Sequence, residues 1–180
     1  EAAREAAAAA RATAQTDLAD KQAALAALES ELRALDKAVA QGSTGNRVLD
    51  QMKATPGYEL ALGAALGDDL EAGLGLEAGR GWGGAAPLAS DPALPKGAEP
   101  LASKVTGPAE LARRLAQIGV VDVDDGAALA VGQRLVTRDG RLRRWDGFVA
   151  TGDGAAAAER LVRLNRIEAL RADLPAAEQQ

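Results

Sequence analysis

The chain has 180 residues, a formal charge of −5, and neither cysteine nor histidine. That composition excludes a disulfide framework, a thiolate nucleophile, a Ser-His dyad and an imidazole metal site. It also excludes a protein basic all over, while leaving room for a local basic patch. Aromatics make up 2% and alanine about a quarter of the residues, so any core rests on Leu, Val and Ala and is small. No run approaches 18 apolar residues and no secretory signal opens the chain, so nothing in the pattern calls for a membrane. Opening on Glu1, the chain reads as a piece of something longer.

Residues 1–41 lack Gly and Pro and are rich in good helix formers. Leu25, Leu28, Leu32, Leu35 and Val39 step by 3, 4, 3 and 4, the a/d seam of a coiled coil, with Leu18 one heptad earlier. Upstream of Leu18 the seam holds little but alanine, and pairing there is expected to be weak. A solvated surface helix is the alternative. Gly42-Ser43-Thr44-Gly45 stops the helix and sets a domain boundary. Val48 to Met52 is short and reads as a strand, with a helical turn as the alternative. Pro56-Gly57 turns into a helix with Leu60, Ala61, Ala64, Ala65 and Leu70 on its apolar face, ending near Gly67. Asp68, Asp69 and Glu71 are three close carboxylates that could ligate a hard cation. They lack the spacing of a calcium loop, so a solvated helix end is the better reading and no metal is expected.

From Gly73 to Gly107 the chain is rich in Gly and Pro. The glycines between Gly79 and Gly84 form no GxxxxGK[ST] phosphate loop, and Trp82 among them reads as an anchor to the core. Pro108 opens a helix carrying Leu111, Leu115 and Ile118. The IGVVDV run is a buried strand by its β-branched content, and Asp122, Asp124 and Asp125 then read as a loop rather than paired acid/base carboxylates. Arg134–Thr137 and Arg141–Trp145 flank Asp139-Gly140, a strong hairpin signal. Gly152-Asp153-Gly154, with Asp153 as N-cap, leads into a helix seamed by Leu161, Leu164, Ile167, Leu170 and Leu174, with Pro175 just past its end.

Two helical arms, of ~60 Å and ~30 Å at 1.5 Å per residue, therefore flank one domain. Side by side they form an antiparallel hairpin, with Leu25–Val39 facing Leu161–Leu174. The divisions are an N-terminal arm 1–41, a globular domain 42–153, a C-terminal arm 154–174 and a tail 175–180.

The segments GYELALGAALGDDLEA, ELARRLAQIGVV, GQRLVTRDG and WDGF together resemble the hinge of SMC chromosome-maintenance ATPases, most closely those of alphaproteobacteria. The match runs from about Gly42 to Leu174, and the flanking helices resemble the inner ends of the SMC arms. The resemblance implies an α/β (α+β) hinge of two small subdomains that homodimerises by joining sheet edges. It implies an interface around Gly140, Gly147, Phe148 and Gly152. Where the family commonly has glycine pairs, this chain has Asp146-Gly147 and Thr151-Gly152, and the family's FLPL-like strand survives only as Pro100-Leu101. The resemblance further implies a cytoplasmic, nucleoid-associated parent that hydrolyses ATP in head domains absent here, where kleisin and accessory subunits would bind. No cofactor is expected.

A second function class rests on Arg134, Arg138, Arg141, Arg143 and Arg144, five arginines in 11 positions against one Asp139. Such a patch can hold phosphates without reading bases, giving weak, non-specific DNA contact. Alternation puts Arg141 and Arg143 on one face of a strand and Leu142 and Arg144 on the other. Surface arginines paired to carboxylates are the bland alternative, and a DNA-binding adaptor, in which this cluster rather than dimerisation is the main activity, is the other reading. With no Walker motif, no histidine and no cysteine, a catalytic role is not expected.

Overall fold

A computed structural model describes residues 1–41, 46–76, 79–152 and 154–179. The chain divides into two compact units, one comprising Glu1–Gln41 and Arg166–Gln180, the other Gly42–Asn165.

The first unit is helical. Helix α1 covers Ala2–Gln41 and buries no residue fully, although Leu25, Leu28, Leu32, Leu35 and Val39 are half-buried while Leu18 is 56% exposed. The alanine-rich start cannot supply apolar area, and it is exposed throughout. The C-terminal helix contributes Ile167 and Leu170, both buried, and the half-buried Leu174 and Ala177. Assigning these seam residues to a and d places Glu31 and Arg166 both at g, and Asp36 and Arg171 both at e. The structure pairs them like with like, Arg166 to Glu31 at 2.7 Å and Arg171 to Asp36 at 2.9 Å. Joining g to g and e to e is the pattern of antiparallel helices, since a parallel pair joins g to e.

In the globular unit, Val48–Gln51 forms a 3₁₀ turn rather than the expected strand. Val48 and Leu49 are both buried, whereas a strand would turn consecutive side chains to opposite faces. Strand β1 (Lys53–Ala54) leads through the Pro56-Gly57 turn to α2 (Glu59–Leu66). Seven of its eight residues are buried, so α2 is a core helix rather than an amphipathic one. Leu60, expected on its apolar face, is the one exposed at 44%. A 3₁₀ turn (Gly67–Glu71) follows, then β2 (Gly73–Leu74) and β3 (Gly81–Trp82), which pair in parallel. Strand β4 (Glu99–Pro100) and β5 (Val105–Thr106, paired with β1) complete the Gly/Pro-rich half. Pro108 stands just outside a 3₁₀ turn (Ala109–Leu111) that runs into the short helix α3 (Ala112–Ala116).

Next come β6 (Ile118–Val121), β7 (Arg134–Thr137), β8 (Arg141–Arg144) and β9 (Val149–Thr151). With β4 they form a five-stranded sheet of order β4-β6-β7-β8-β9, in which only β6 and β7 are parallel. Ile118, Val120, Val136 and Leu142 face a core shared with Leu62, Leu66, Leu101, Leu111 and Leu115. Helix α4 spans Ala155–Glu178. Its first three turns, to Asn165, belong to this unit, beyond the expected boundary at residue 153. Leu161, expected on the arm seam, lies in this core instead. Pro175, expected to follow the helix, sits inside its last turn, where only one backbone bond is forfeited. The expected stop at 42–45 and the Asp153 cap lie outside the described residues.

Candidate functional site

The sheet has two edges, and local chemistry makes them unlike. On β4, Glu99 faces Val120 and Pro100 faces Gly119. Antiparallel residues alternate between bonding inward and outward. Proline has no N–H, so Glu99 carries the inward bonds and Pro100 lies on the outward side. Its carbonyl accepts from Ser103 Oγ at 2.8 Å, and the N–H of Ala98 is taken by the Pro95 carbonyl at 3.0 Å. The outer rim of β4 therefore has no free donor and is closed.

Strand β9 is open. The Arg144 N–H donates to the Phe148 carbonyl at 2.8 Å, and the register places Ala150 opposite Leu142. Phe148 and Ala150 thus face β8, while the N–H and C=O groups of Val149 and Thr151 point away from it. Both residues are exposed, Val149 at 58%, beside Trp145 at 45% and Phe148 at 46%. An unpaired rim flanked by apolar side chains is a template for another strand. The sequence reading did not identify this strand, although Val149 and Thr151 are β-branched and directly follow the Asp146-Gly147 turn.

Of the four residues expected at an interface, Gly147 (φ 84°) and Gly152 (φ 81°) bracket β9. Both need the left-handed backbone, and an added Cβ at either would meet nothing within 4 Å. Phe148 lies between them, with the Arg144 guanidinium 5.3 Å from its ring centroid. Gly140 stands apart from the other three. It is buried in the β7–β8 turn beneath Leu60, whose Cβ and carbonyl would lie 3.6 Å from an added Cβ, so it has no free surface to offer.

The five arginines do not form one patch. Arg141 and Arg143 share the outer face of β8 as alternation requires, but Arg143 is engaged by Asp124 through contacts of 2.6 and 2.8 Å and also donates to the Ala127 carbonyl. That bonding raises the Arg143 pKa and holds the Asp124 carboxyl below its ordinary range. Arg134 and Arg144 lie on the opposite face. Arg134 is half-buried and donates to the Ala65 carbonyl at the end of α2, and burial lowers its pKa. Arg144 pairs with Asp146 at 2.6 Å. Arg138, at the turn, lies 4.9 Å from the Tyr58 ring centroid. Only Arg138 and Arg141 are exposed without a carboxylate partner among the described residues. Among the same residues, no cluster of three acidic side chains is arranged to hold a metal, and no helix is long and apolar enough to cross a membrane.

No protein-family model matches the chain. It is 44% identical over 150 residues to the chromosome partition protein Smc of Rhodopseudomonas palustris. It is 47% identical over 141 residues to that of Cereibacter sphaeroides. These alignments cover 79% and 74% of this chain but only 13% and 12% of the relatives, so the chain spans about an eighth of their length. Among solved structures, an asymmetric dimer of the Geobacillus stearothermophilus SMC hinge domain superposes with a TM-score of 0.55 at 16% identity, covering 92% of this chain and 91% of the other. The folded elbow of cohesin superposes at 0.50 and 13% identity, covering 88% of this chain and 31% of that one. Sequence similarity to alphaproteobacterial Smc, joined to the fold of the sheet and its flanking helices, makes this chain a bacterial SMC hinge segment with coiled-coil ends.

Proposed function

We propose that this segment is the homodimerisation hinge of a chromosome-partitioning SMC protein, joining two coiled-coil arms whose ATPase heads lie elsewhere in the parent. The observation that carries the reading is the asymmetry of the sheet, with β4 closed by Pro100 and Ser103 and β9 open at Val149 and Thr151. A second copy docking a strand on β9 would satisfy those backbone groups and cover Phe148 and Val149. The similar hinge domain of Geobacillus stearothermophilus was solved as an asymmetric dimer, which supports self-association. On this reading the segment is not itself an enzyme. DNA, kleisin and accessory subunits are partners of the whole protein, which works at the nucleoid in the cytoplasm.

Sedimentation equilibrium across a wide concentration range tests the proposal. A dimer of twice 18.3 kDa supports it, and a monomer at every concentration refutes it.

Weak DNA contact is a secondary reading, carried by Arg138 and Arg141, the two of the five clustered arginines that are exposed and form no ion pair among the described residues. Reversing both charges should abolish low-salt binding. With two phosphates neutralised, the salt slope should be only about −2. A slope several times steeper would assign the contact to other residues.

A further inference from the structure

A cleft outside both features above lies between the glycine segment 81–85 and the residues around α3. Its wall includes Trp82, Gly83, Gly84, Arg113, Arg114 and Gln117. We propose that this cleft binds a phosphate group, with Arg114 as its anchor.

The charges decide the sign of the ligand. Arg113 is neutralised on the spot, with its Nη2 2.6 Å from Asp91 and its Nε also donating to that carboxylate. Arg114 is not. It is half-buried, its one hydrogen bond is from Nη1 to the Gly132 carbonyl at 2.9 Å, and no carboxylate among the described residues lies within ion-pair distance. Burial, then repulsion from Arg134, pushes its pKa down to about 10, against a pull from Asp69 that exceeds the smaller push from Arg144. Arg144 already has Asp146, and the Asp69 carboxylate lies 3.7 Å from Arg80. Arg114 and Arg134 are therefore left as neighbouring cations, each satisfied only by a backbone carbonyl.

A guanidinium fork held by one corner presents its remaining N–H groups in the geometry that suits an oxyanion. Across the cleft, the backbone N–H groups of Gly83, Gly84 and Ala85 have no hydrogen-bond partner among the described residues. These three residues are exposed, so an anion accepting from both sides would meet the unpaired Arg114 charge and take amide donors that otherwise face solvent. Glu110 also lines the cleft and is the one carboxylate there without an ion-pair partner among the described residues. It opposes the anion, so Arg114, the one unpaired cation of the cleft wall, has to outweigh it with help from Arg134 just outside the wall.

The test uses the full chain carrying Trp145→Phe, so that Trp82 is the only indole. Sodium phosphate is titrated against sodium chloride at matched ionic strength while Trp82 fluorescence is followed. A saturable change is expected with phosphate alone. Arg114→Lys, which keeps charge but loses the fork, should weaken it tenfold or more. Glu110→Gln, at a partly exposed position, should tighten it about threefold by removing a like charge. No saturable change up to about 50 mM, or the same titration in both variants, overturns the proposal. A short DNA duplex that competes with phosphate in an Arg114-dependent way identifies the source as nucleic acid. Failure to compete identifies a small phosphorylated molecule, and either outcome keeps the site. Dimerisation plays no part in this readout, so its failure would leave the hinge reading standing.

Discussion

Gly63 and Gly154 touch backbone to backbone. A Cβ built on Gly63 would stand 2.5 Å from the Gly154 carbonyl oxygen, and one built on Gly154 would collide with the Gly63 carbonyl. The same Gly154 carbonyl accepts the Ala158 N–H at 2.8 Å, so the first turn of α4 is seated directly on α2. Gly63→Ala should cost about 1–3 kcal/mol, because the obstruction is main chain and cannot swing aside. Urea denaturation checks this, and a variant as stable as the parent would show that α2 and α4 can separate without penalty.

The Arg143–Asp124 pair makes a pH prediction. Both side chains are less than a third exposed, at 22% and 26%, so their attraction is only partly screened. Arg143 holds the Asp124 carboxyl below its ordinary range. The pair's contribution is therefore fully present above the unfolded carboxylate pKa of about 3.9 and is lost as pH falls through the lower folded value. Asp124→Asn should cost about 1–2 kcal/mol at neutral pH by stranding the guanidinium. It should also flatten the acid limb of the stability curve. Denaturant midpoints from pH 7 to 2 measure both, and an unaltered acid limb in the variant would contradict the assignment.

Strand β9 offers a substitution that separates folding from association. The Val149 N–H points away from β8, so Val149→Pro removes a donor the monomer does not use. Circular dichroism should remain that of the parent while dimer affinity falls at least tenfold, read by sedimentation. An unchanged dimer would place the contact away from β9.

Along α4, Leu170 in the helical unit is fully buried, whereas Leu164, in the stretch that belongs to the globular unit, is half-buried. Leu170→Ala should cost about 2–5 kcal/mol in thermal melts of the helical signal, and Leu164→Ala clearly less. Equal losses would mean that burial does not set the cost along this helix.

The fold was legible where a local signal and a periodic one coincided. Asp139-Gly140 between two alternating runs marked the β7–β8 hairpin, and the 3-4 spacing from Leu25 to Val39 marked the arm. Spacing alone misled at Leu161, whose period matches the seam although the globular core claims it. Val48–Gln51 was too short for its apolar pair to distinguish a strand from a turn, and α2 is enclosed on so many sides that the face read for it included Leu60, its one exposed residue. Strand β9 was hidden because it gains its identity from Leu142 and Arg144 across the hairpin. The arginine cluster was visible as composition only. Asp124, 19 residues before Arg143, and Asp146, two after Arg144, come to them through the turns of the chain.

Closure of β4 by Pro100 and Ser103 also bears on what the molecule avoids. A sheet open at both rims can recruit copies without limit, each newcomer presenting a fresh rim to the next, which is the route to fibres. Here a copy added along β9 would bring a blocked β4 as its other rim, so growth of this sheet stops after one addition. On the proposed reading, a proline and one serine hydroxyl act as a chain terminator, allowing a protein that meets its twin along β9 to display a bare strand without inviting a crowd.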